Sequence, residues 1–258
     1  MPFIDFSMDN SKYHVLILAA GKSTRLAHLT RGKPKCFLEI GGKSIIGRML
    51  DCLSERGIKE ATIVIGYMSE FFMKTLGNKY KNIDIDYIVM DDYATTLHGW
   101  GFYLTKDRWQ KSKKPVIFMD ADNIFDPKLI DKLLEENNDN VSLIDNNPEN
   151  KNTEEELVIG DKEEIKGFER GIFSKDKKFL GEFVGINKFS PEFMENLYKF
   201  MDSLGDKIKI LKYEKVFDKF INFTKNKINY LKTGGLKWVN VNNEYSFEKA
   251  KKLALFEF

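Results

Sequence analysis

An apolar strand that runs directly into a glycine turn is the feature that most constrains how this chain of 258 residues folds. Residues 15–19 read Val-Leu-Ile-Leu-Ala, and residues 20–25 read Ala-Gly-Lys-Ser-Thr-Arg. A glycine turn that carries hydroxyls and cations places backbone N–H groups and positive charge around a polyphosphate. This segment therefore predicts a phosphate-binding loop at the end of a buried strand.

Strand patterns and amphipathic helix patterns alternate over the first half of the chain. Strands are predicted at residues 15–19, 62–65, 83–89 and 115–119. Helices are predicted to begin at Ser44, at Ser69 as a capping residue, at Thr95 or Thr96, and at Pro127. The alternation predicts an α/β fold with a Rossmann-like, doubly wound, mostly parallel (mixed) sheet that is flanked by helices.

The second half of the chain has a different character. Residues 145–156 are polar and rich in Asn and Glu, which predicts a loop. Further strands are predicted at residues 157–159, 164–168, 179–189, 228–232 and 237–241, and further helices at residues 191–204, 213–223 and 244–256. These patterns indicate a small β lobe. Because no long linker interrupts them, we expect a single domain over residues 1–258.

Composition argues against several classes of protein. The 41 Lys and Arg residues nearly balance the 39 Asp and Glu residues, and a net charge of only +2 argues against a dedicated nucleic-acid binder. No apolar run is long enough for a membrane-spanning helix, and residues 1–14 contain no signal-peptide core. The two cysteines predict free thiols in a reducing cytoplasm, and the three histidines do not have metal-ligand spacing.

Two other phosphate-binding loops share part of this sequence. A P-loop ends in Gly-Lys-Ser, as residues 21–23 do, but it needs a first glycine where this chain has Leu16. A Rossmann dinucleotide fingerprint needs a second glycine where the chain has Ser23. An ordinary strand-turn-helix with incidental lysines is the remaining alternative. A plain surface loop, however, does not need three small residues packed beside cations.

Two segments resemble the signature of the sugar-nucleotidyltransferase-like pyrophosphorylases. They are residues 18–26, Leu-Ala-Ala-Gly-Lys-Ser-Thr-Arg-Leu, and residues 32–40, Gly-Lys-Pro-Lys-Cys-Phe-Leu-Glu-Ile. The resemblance implies that the loop holds a nucleoside triphosphate and that Arg25 and Lys35 contact phosphates as catalytic residues. The loop residues that it implies for nucleotide binding are Leu18, Ala19, Ala20, Gly21, Lys22, Ser23, Thr24 and Arg25.

Two aspartates follow the strand predicted at residues 115–119. Asp120 and Asp122 lie at the carboxyl end of a central strand, which is the edge where open α/β sheets bind ligands. Because side chains alternate along a strand, both should point to one side and, with bound phosphates, favour Mg²⁺. The resemblance implies that Asp122 is a catalytic metal ligand and that Asp120 lies beside the nucleotide. The alternative, a cap for the helix after Pro127, suits Asp126 better.

Residues 238–244, Trp-Val-Asn-Val-Asn-Asn-Glu, match the second metal-bearing strand of that family. Many members carry an aspartate where this chain has Asn242, and an amide oxygen can also coordinate Mg²⁺. Asn242 is therefore the second metal ligand that the resemblance implies. An ordinary strand followed by an Asn-capped helix is the alternative.

The resemblance also divides the chain into a nucleotide-binding part, about residues 12–140, and an acceptor-binding part, about residues 141–258. Glu182, in the segment Gly-Glu-Phe-Val-Gly-Ile, matches an acceptor-side strand. Arg170 stands where many members place a phosphate-contacting lysine, and a guanidinium can bind phosphate in bidentate fashion. Glu214 matches an acid that some members keep for the acceptor, and a solvated helix acid is an equal alternative.

Residues 92–97 lie where members of the family contact the base or the ribose. Thr95 and Thr96 are therefore candidate nucleotide-binding residues, unless Thr95 is only a helix cap. A choline acceptor would favour a cage of aromatic rings with acids. The aromatic residues that could supply one, although such residues are more often part of a core, are Trp100, Phe102, Tyr103, Trp109, Phe183 and Trp238.

The compact length, the Gly66-Tyr67 pair and Trp238 look most like the small cytidylyltransferases, which activate phosphocholine, aminoalkylphosphonates or phosphoglutamine for cell-surface polymers. The resemblance implies CTP and a small phosphorylated acceptor as substrates, Mg²⁺ as cofactor, pyrophosphate as a product and a homodimer as the candidate assembly. Two alternatives stay open. One is a sugar-1-phosphate uridylyl- or thymidylyltransferase, and the other is a catalytically silent nucleotide-binding regulator.

Overall fold

The computed structural model describes residues 9–148, 155–172 and 179–254. The strands are β1 (His14–Ala19), β2 (Glu39–Ile40), β3 (Lys43–Ser44), β4 (Glu60–Ile65), β5 (Lys79–Tyr80), β6 (Ile83–Val89), β7 (Val116–Asp120), β8 (Asn123–Phe125), β9 (Val141–Asp145), β10 (Glu156–Gly160), β11 (Ile165–Arg170), β12 (Phe179–Phe189), β13 (Asn229–Lys232) and β14 (Trp238–Asn240). The helices are α1 (Ala27–Thr30), α2 (Ile45–Glu55), α3 (Ser69–Leu76), α4 (His98–Leu104), α5 (Lys106–Ser112), α6 (Lys128–Glu135), α7 (Pro191–Leu204), α8 (Tyr213–Phe223) and α9 (Glu244–Ala254).

A mixed sheet carries the fold, and among the described residues it contains ten strands. Its main path has the order β11-β10-β12-β7-β1-β4-β6-β5, and β9 pairs with β12 and β13 beside that path. The central strands β7, β1, β4 and β6 are parallel. The long strand β12 pairs antiparallel with β7 and so attaches the second half of the chain to the first. The predicted α/β fold with a doubly wound, mixed sheet is confirmed.

The sheet buries apolar side chains on both faces because neighbouring residues of β1 point in opposite directions. Val15 and Ile17 pack into a cluster with Leu50 of α2. Leu16 packs into a different cluster with Phe217 of α8. Each of these five side chains is completely buried, and burial of one such side chain contributes about 1.5–3 kcal/mol to folding. The carboxyl ends of the central strands are therefore fixed by packing on both sides.

A smaller apolar cluster holds the C-terminal segment beside the first loop. Leu26 from the loop, Ile124 from β8 and Val241 after β14 pack together with Phe247 of α9. The strands β14 and β8 pair antiparallel, so the residues that follow β14 lie next to those that precede β8. This arrangement brings two segments about 120 residues apart in sequence to one edge of the sheet.

Two predicted helix starts are wrong. The helix expected at Thr95 or Thr96 begins at His98, because residues 92–97 form turns in which both threonine hydroxyls donate to the carbonyl of Asp92. Ser69 is the first residue of α3 rather than its cap, and Met68 precedes it in a left-handed conformation with φ of 55°. Serine and threonine hydroxyls can serve a turn as well as a helix end, so their identity alone does not set the boundary.

Strand β9 was not predicted, and it lies directly before the polar segment at residues 145–156. Of that predicted loop, residues 149–154 lie outside the described residues, as do residues 255–256 of the predicted last helix. Cys36 and Cys52 are free and buried, and burial raises the pKa of the Cys52 thiol to about 12. In the three ranges that the structure describes, we find no helix with the length and apolar character that crossing a membrane requires.

Candidate active site

A cleft of about 440 Å³ opens at the carboxyl ends of β1 and β7. Its walls come from the loop after β1, the end of β7, the segment after β14 and the first residues of α4 and α8. The predicted site residues that line it are Leu18, Ala19, Ala20, Gly21, Ser23, Arg25, Lys35, Thr96, Asp120, Asp122, Arg170, Glu214 and Asn242. The predicted residues outside its lining are Lys22, Thr24, Thr95 and Glu182.

The loop after β1 is held open by its neighbours. The backbone carbonyl of Ala20 accepts a hydrogen bond of 3.0 Å from the N–H of Tyr67, which anchors the loop to the segment after β4. A Cβ atom on Gly66 would lie 2.9 Å from that carbonyl, so only glycine allows this approach. A Cβ atom on Gly21 would meet no atom within 4 Å, which leaves open space in front of the loop. Ser23 then takes a left-handed conformation with φ of 53° and turns the chain toward Arg25.

Lys35 joins two segments that are far apart in the sequence. Its ammonium Nζ donates to Asp122 Oδ2 at 2.6 Å and to Asn242 Oδ1 at 2.8 Å. Asp122 lies just beyond β7 and Asn242 just beyond β14. The Lys35 side chain is 12% exposed, so this contact is largely shielded from water. Because one ammonium touches both oxygens, the carboxylate and the amide oxygen converge on a single point.

The two oxygens that converge on Lys35 suit a divalent cation. Mg²⁺ is held by oxygen ligands, commonly one or two carboxylates together with water and substrate phosphates. In the structure the ammonium of Lys35 contacts both of these oxygens. The part of the chain that the structure describes contains no group of three His, Cys, Asp or Glu side chains arranged to hold a metal. Asp122 and Asn242 could therefore hold Mg²⁺ together with the phosphates of a nucleotide.

Asn240 is a site residue that the sequence analysis missed. Its Nδ2 donates to Asp122 Oδ1 at 2.9 Å and to Asn123 Oδ1 at 3.1 Å. Asn123 is in turn held by a hydrogen bond of 2.8 Å to the carbonyl of Val184. Asn240 therefore fixes the oxygen of Asp122 that faces away from Lys35. The alternation Asn-Val-Asn at residues 240–242 was the available signal, because it places two amides on the same face of a strand.

Asp120 forms the floor of the cleft. Tyr213 Oη donates to Asp120 Oδ2 at 2.5 Å. Burial, together with the nearby carboxylates of Asp122 and Glu214, raises the pKa of Asp120 well above its ordinary value. Burial and the Asp120 charge also raise the pKa of the Tyr213 hydroxyl. Both predicted aspartates thus line the cleft, but Asp120 is held by a phenol whereas Asp122 faces a cation.

Gly185 of β12 lies against this floor, and its replacement by alanine should destabilise the fold. Its φ of +75° disfavours any other residue, and a Cβ atom there would lie 2.4 Å from Asp120 Oδ2. Gly57 has a similar φ of +78° but no atom within 4 Å of the Cβ position, so it is the matched control. The left-handed conformation alone should cost about 1–2 kcal/mol in either variant.

We expect Gly185→Ala to lose more unfolding free energy than Gly57→Ala, because only the first variant adds a clash to the backbone strain. Urea denaturation of the two variants and the unchanged chain measures the difference. Equal losses would mean that the Asp120 carboxyl moves aside freely, which would contradict a fixed floor.

Charges of both signs lie where the end of β11 and the start of α8 border the cleft. Arg170 is at the end of β11, and its Nε is 3.5 Å from Glu156 Oε2. Lys212 and Glu214 flank Tyr213 at the start of α8. Burial raises the pKa of Glu214, while the charges of Lys212 and Arg170 oppose that change. This wall could therefore hold an anion and a hydrogen-bond donor at the same time.

Glu182 lines a neighbouring cavity of about 120 Å³ rather than the cleft. Asp145 and Trp238 also line that cavity, and Trp238 Nε1 donates to Asp145 Oδ2 at 3.0 Å. Asn240 lines both cavities and so lies between them. Burial, with the carboxylates of Glu155 and Asp145 nearby, raises the pKa of Glu182 to about 9.

The raised pKa of Glu182 should make the fold less stable as the pH rises. Between its ordinary pKa of 4.5 and about 9, the unfolded chain releases a proton that the folded chain keeps. The contribution of protonated Glu182 to the free energy of unfolding is complete below pH 4.5 and is lost progressively as the pH rises toward 9. We expect Glu182→Gln to reduce the fall in melting temperature between pH 6 and pH 8.5. The exposed Glu135→Gln is the control, and an unchanged pH dependence in Glu182→Gln would contradict the assignment.

The four predicted residues outside the cleft lining have other surroundings. The ammonium of Lys22 lies 5.8 Å from the centroid of the Tyr67 ring. Thr24 is exposed at the start of a short turn, and Thr95 donates its hydroxyl to Asp92. The structure thus brings together most of the predicted loop but only one of the two threonines.

Several cleft residues carried no recognisable sequence signal. These are Val64, Met90, His98, Gly101, Lys212 and Tyr213. They come from the ends of β4 and β6 and from the starts of α4 and α8. Only the tertiary fold brings these ends together, so periodicity within any one segment cannot identify them.

Comparison with known proteins agrees with this geometry. The MobA-like NTP transferase domain matches residues 15–154. A CTP:phosphoglutamine cytidylyltransferase from Campylobacter jejuni is 28% identical over 212 residues, which cover 74% of this chain and 78% of that protein. A UTP–glucose-1-phosphate uridylyltransferase from Haloferax volcanii is 32% identical over 116 residues, which cover 45% of this chain and 46% of that protein.

The fold also matches solved structures. The structure of the inositol-1-phosphate CTP transferase from T. maritima superposes with a TM-score of 0.76 at 14% identity. The match covers 93% of this chain and 94% of that one. At this identity the likeness concerns the fold alone, and it extends over nearly all of the chain.

Proposed function

The chain belongs to the MobA-like NTP transferase family and is a nucleotidyltransferase, and on this premise we propose that it transfers CMP from CTP to a small acceptor. The acceptor carries a phosphate or a phosphonate, and pyrophosphate is released. The observation that carries the proposal is the contact of Lys35 with Asp122 and Asn242 beside the glycine loop. This contact brings together a cation and two oxygens that can coordinate a metal ion, at the place where the phosphates of a nucleotide would lie.

The choice of CTP is supported by the relative that aligns over three quarters of the chain, which is a CTP-dependent enzyme. The uridylyltransferase aligns over less than half of the chain. Transfer of UMP or dTMP to a sugar 1-phosphate is therefore the second candidate. A silent nucleotide-binding regulator is the third, and the contact of Lys35 with Asp122 supports a catalytic role over binding alone.

In the proposed reaction an acceptor oxygen forms a bond to the α-phosphorus of CTP. The bond from that phosphorus to the α,β-bridging oxygen breaks, and its electron pair leaves with pyrophosphate. The attacking oxygen is already anionic, so no general base is needed. Catalysis then depends on positioning and on neutralisation of charge.

The residues of the cleft have separate roles in this scheme. Arg25 and Lys35 neutralise phosphate charge, and the backbone of residues 19–21 surrounds the triphosphate. Asp122 and Asn242 would hold Mg²⁺, which neutralises and polarises the phosphate groups when it is bound. Arg170 and Lys212 face the phosphate or phosphonate of the acceptor, and Lys22 remains a candidate for the outer phosphates.

On the family resemblance we also propose that the chain is a cytoplasmic enzyme. It would supply activated groups for cell-surface polysaccharides. The nucleotide-binding part would be about residues 12–140 and the acceptor-binding part about residues 141–258.

The test is pyrophosphate release with Mg²⁺. CTP, UTP, dTTP and ATP are each combined with 2-aminoethylphosphonate, phosphocholine, phosphoglutamine and glucose 1-phosphate. We expect turnover with CTP and a non-sugar acceptor. Turnover only with UTP or dTTP and glucose 1-phosphate would favour the second candidate. CTP binding by calorimetry without any turnover would favour the silent regulator.

A further inference from the structure

The helix α8 begins without a cap from its own segment. Lys212 precedes the helix, and a lysine side chain has no acceptor for the N–H groups that a helix start leaves unpaired. Tyr213 is the first residue of the helix, and it is only 1% exposed. Because a buried N–H group without a partner costs about 1–3 kcal/mol, a group from another segment should accept it.

His98 of α4 supplies that acceptor. The backbone N–H of Tyr213 donates to His98 Nδ1 at 3.3 Å, and the two rings are in edge contact with centroids 4.8 Å apart. A ring nitrogen that accepts an N–H group carries no proton, so His98 is neutral and its Nε2 holds the proton. Burial and the nearby charge of Lys212 lower the pKa of His98 to about 3, which agrees with a neutral ring at pH 7. His98 therefore caps α8 from a segment 115 residues earlier in the chain.

Two backbone hydrogen bonds hold His98 in the position that this cap requires. The N–H of Leu97 donates to the carbonyl of Lys209 at 2.7 Å, and the N–H of Gly99 donates to the carbonyl of Leu211 at 3.1 Å. A Cβ atom on Gly99 would lie 2.5 Å from the Leu211 carbonyl oxygen, so this close approach needs glycine. The start of α4 and the segment that leads into α8 thus form one junction.

The junction joins residues from both proposed parts of the site. The helix α4 directly follows residues 92–97, the segment proposed to contact the base or the ribose. The first turn of α8 contributes Tyr213 and Glu214 to the cleft, and Lys212 lines it just before the helix. Tyr213 also holds Asp120 through its hydroxyl at 2.5 Å. A shift of this turn would therefore move charged groups of the wall and the floor of the cleft together.

We infer that His98 is a positioning residue, whose Nδ1 lone pair caps α8 and thereby sets the acceptor-side wall of the cleft relative to the nucleotide. The inference rests on the proposed transfer of CMP and adds a residue to it. His98 acts through Tyr213 in this role and needs no contact with either substrate.

Three variants at position 98 separate the two ring nitrogens. His98→Asn places an amide oxygen where Nδ1 stands, and His98→Leu has nearly the same shape without an acceptor, so these two form a matched pair. His98→Gln places its polar atoms one bond farther out, near the position of Nε2. We expect all three variants to fold, because the Tyr213 ring also packs edge-on against Phe118 with centroids 4.8 Å apart.

Hydrogen exchange of the Tyr213 amide, measured by NMR, tests the cap without any turnover. We expect exchange to be roughly 2- to 10-fold faster in His98→Leu and His98→Gln than in the unchanged chain, the usual net effect of one lost hydrogen bond. His98→Asn should exchange at nearly the rate of the unchanged chain. Equal rates in His98→Leu and the unchanged chain would overturn the inference.

Steady-state kinetics with CTP, Mg²⁺ and each of 2-aminoethylphosphonate, phosphocholine and phosphoglutamine test the positioning role. In His98→Leu and His98→Gln we expect kcat/KM for the acceptor to fall about tenfold or more, because small displacements at a reacting centre are costly. The Kd of CTP, measured by calorimetry, should stay within about threefold. His98→Asn should recover most of the lost kcat/KM, which a loss of the substrate-facing Nε2 would not allow.

The contrary outcomes are distinct. Recovery by His98→Gln and not by His98→Asn would mean that Nε2 contacts a substrate directly, and equal activity of His98→Asn and His98→Leu would mean that the cap is irrelevant to transfer. Either result would overturn the inference and leave nucleotidyl transfer intact. If the unchanged chain turns over no acceptor, the proposed function fails and the role of His98 in it fails too, whereas the exchange rates still decide whether His98 caps α8.

Discussion

Lys35→Ala is expected to reduce kcat/KM for nucleotidyl transfer by at least about a hundredfold, the usual effect of removing a preorganised donor to transition-state charge. The Lys35 ammonium is the group that touches both Asp122 and Asn242. Without it the carboxylate of Asp122 repels the triphosphate, and the charge that develops on the phosphates has lost a nearby cation.

Lys33→Ala is the control for this variant. Lys33 lies two residues away, is exposed, and places its ammonium 5.9 Å from the centroid of the Phe71 ring. The Lys33→Ala variant removes the same charge from the same segment. Because an exposed surface charge contributes little, its kcat/KM should stay within about twofold of that of the unchanged chain. Steady-state rates of pyrophosphate release compare the two variants. Near-normal turnover by Lys35→Ala would remove the residue from the mechanism.

The predicted residues that line the cleft lie in segments whose patterns are local in the sequence. The loop from Leu18 to Arg25 and the strand that precedes it are one continuous segment, so their pattern is complete in the sequence. The same is true of Asp120 and Asp122 at the end of β7. Each segment could be recognised by itself, and the rule that ligands bind at the carboxyl edge of the sheet was enough to bring them together.

The residues that sequence reasoning missed depend on contacts between distant segments. Asn240 reaches the candidate site only because β14 pairs with β8 and places its amide against Asp122. His98 lies near Glu214 because the backbone N–H of Tyr213, 115 residues later in the sequence, donates a hydrogen bond to its ring. Glu182 shows the opposite kind of error, in which a local sequence match predicts a position that the tertiary fold does not give. Its strand matched the family pattern, but the pairing of β12 with β9 and β10 turns that side chain to a neighbouring cavity.

Asp122→Asn should be as damaging as the loss of Lys35, but for a different reason. The variant keeps the shape of the side chain and removes its charge. An amide there would still accept from Asn240 Nδ2 through one oxygen, but it would turn an NH₂ group toward Lys35 and the metal position. We expect kcat/KM to fall by about a hundredfold or more, as for other groups that organise transition-state charge.

A direct measurement of metal binding separates this role from a general loss of activity. Mn²⁺, a spectroscopic substitute for Mg²⁺, should bind in the presence of CTP to the unchanged chain and much more weakly to Asp122→Asn. Electron paramagnetic resonance of free Mn²⁺ measures the difference without turnover. Asp126→Asn is the control, because Asp126 lies two residues before α6 and its side chain accepts a hydrogen bond of 2.9 Å from the Lys128 N–H.

The control variant should keep both its stability and its metal binding. An Asn side chain accepts a hydrogen bond at a helix start about as well as Asp, so Asp126→Asn should melt at nearly the same temperature as the unchanged chain. Asp122→Asn should also keep most of its stability. The substitution removes an unfavourable electrostatic interaction with Asp120, and this gain offsets the loss of the ion pair with Lys35. If Asp122→Asn bound Mn²⁺ as tightly as the unchanged chain, the carboxylate of Asp122 would not be a metal ligand. The metal would then have to be held elsewhere, and the proposed site at Asp122 and Asn242 would be wrong.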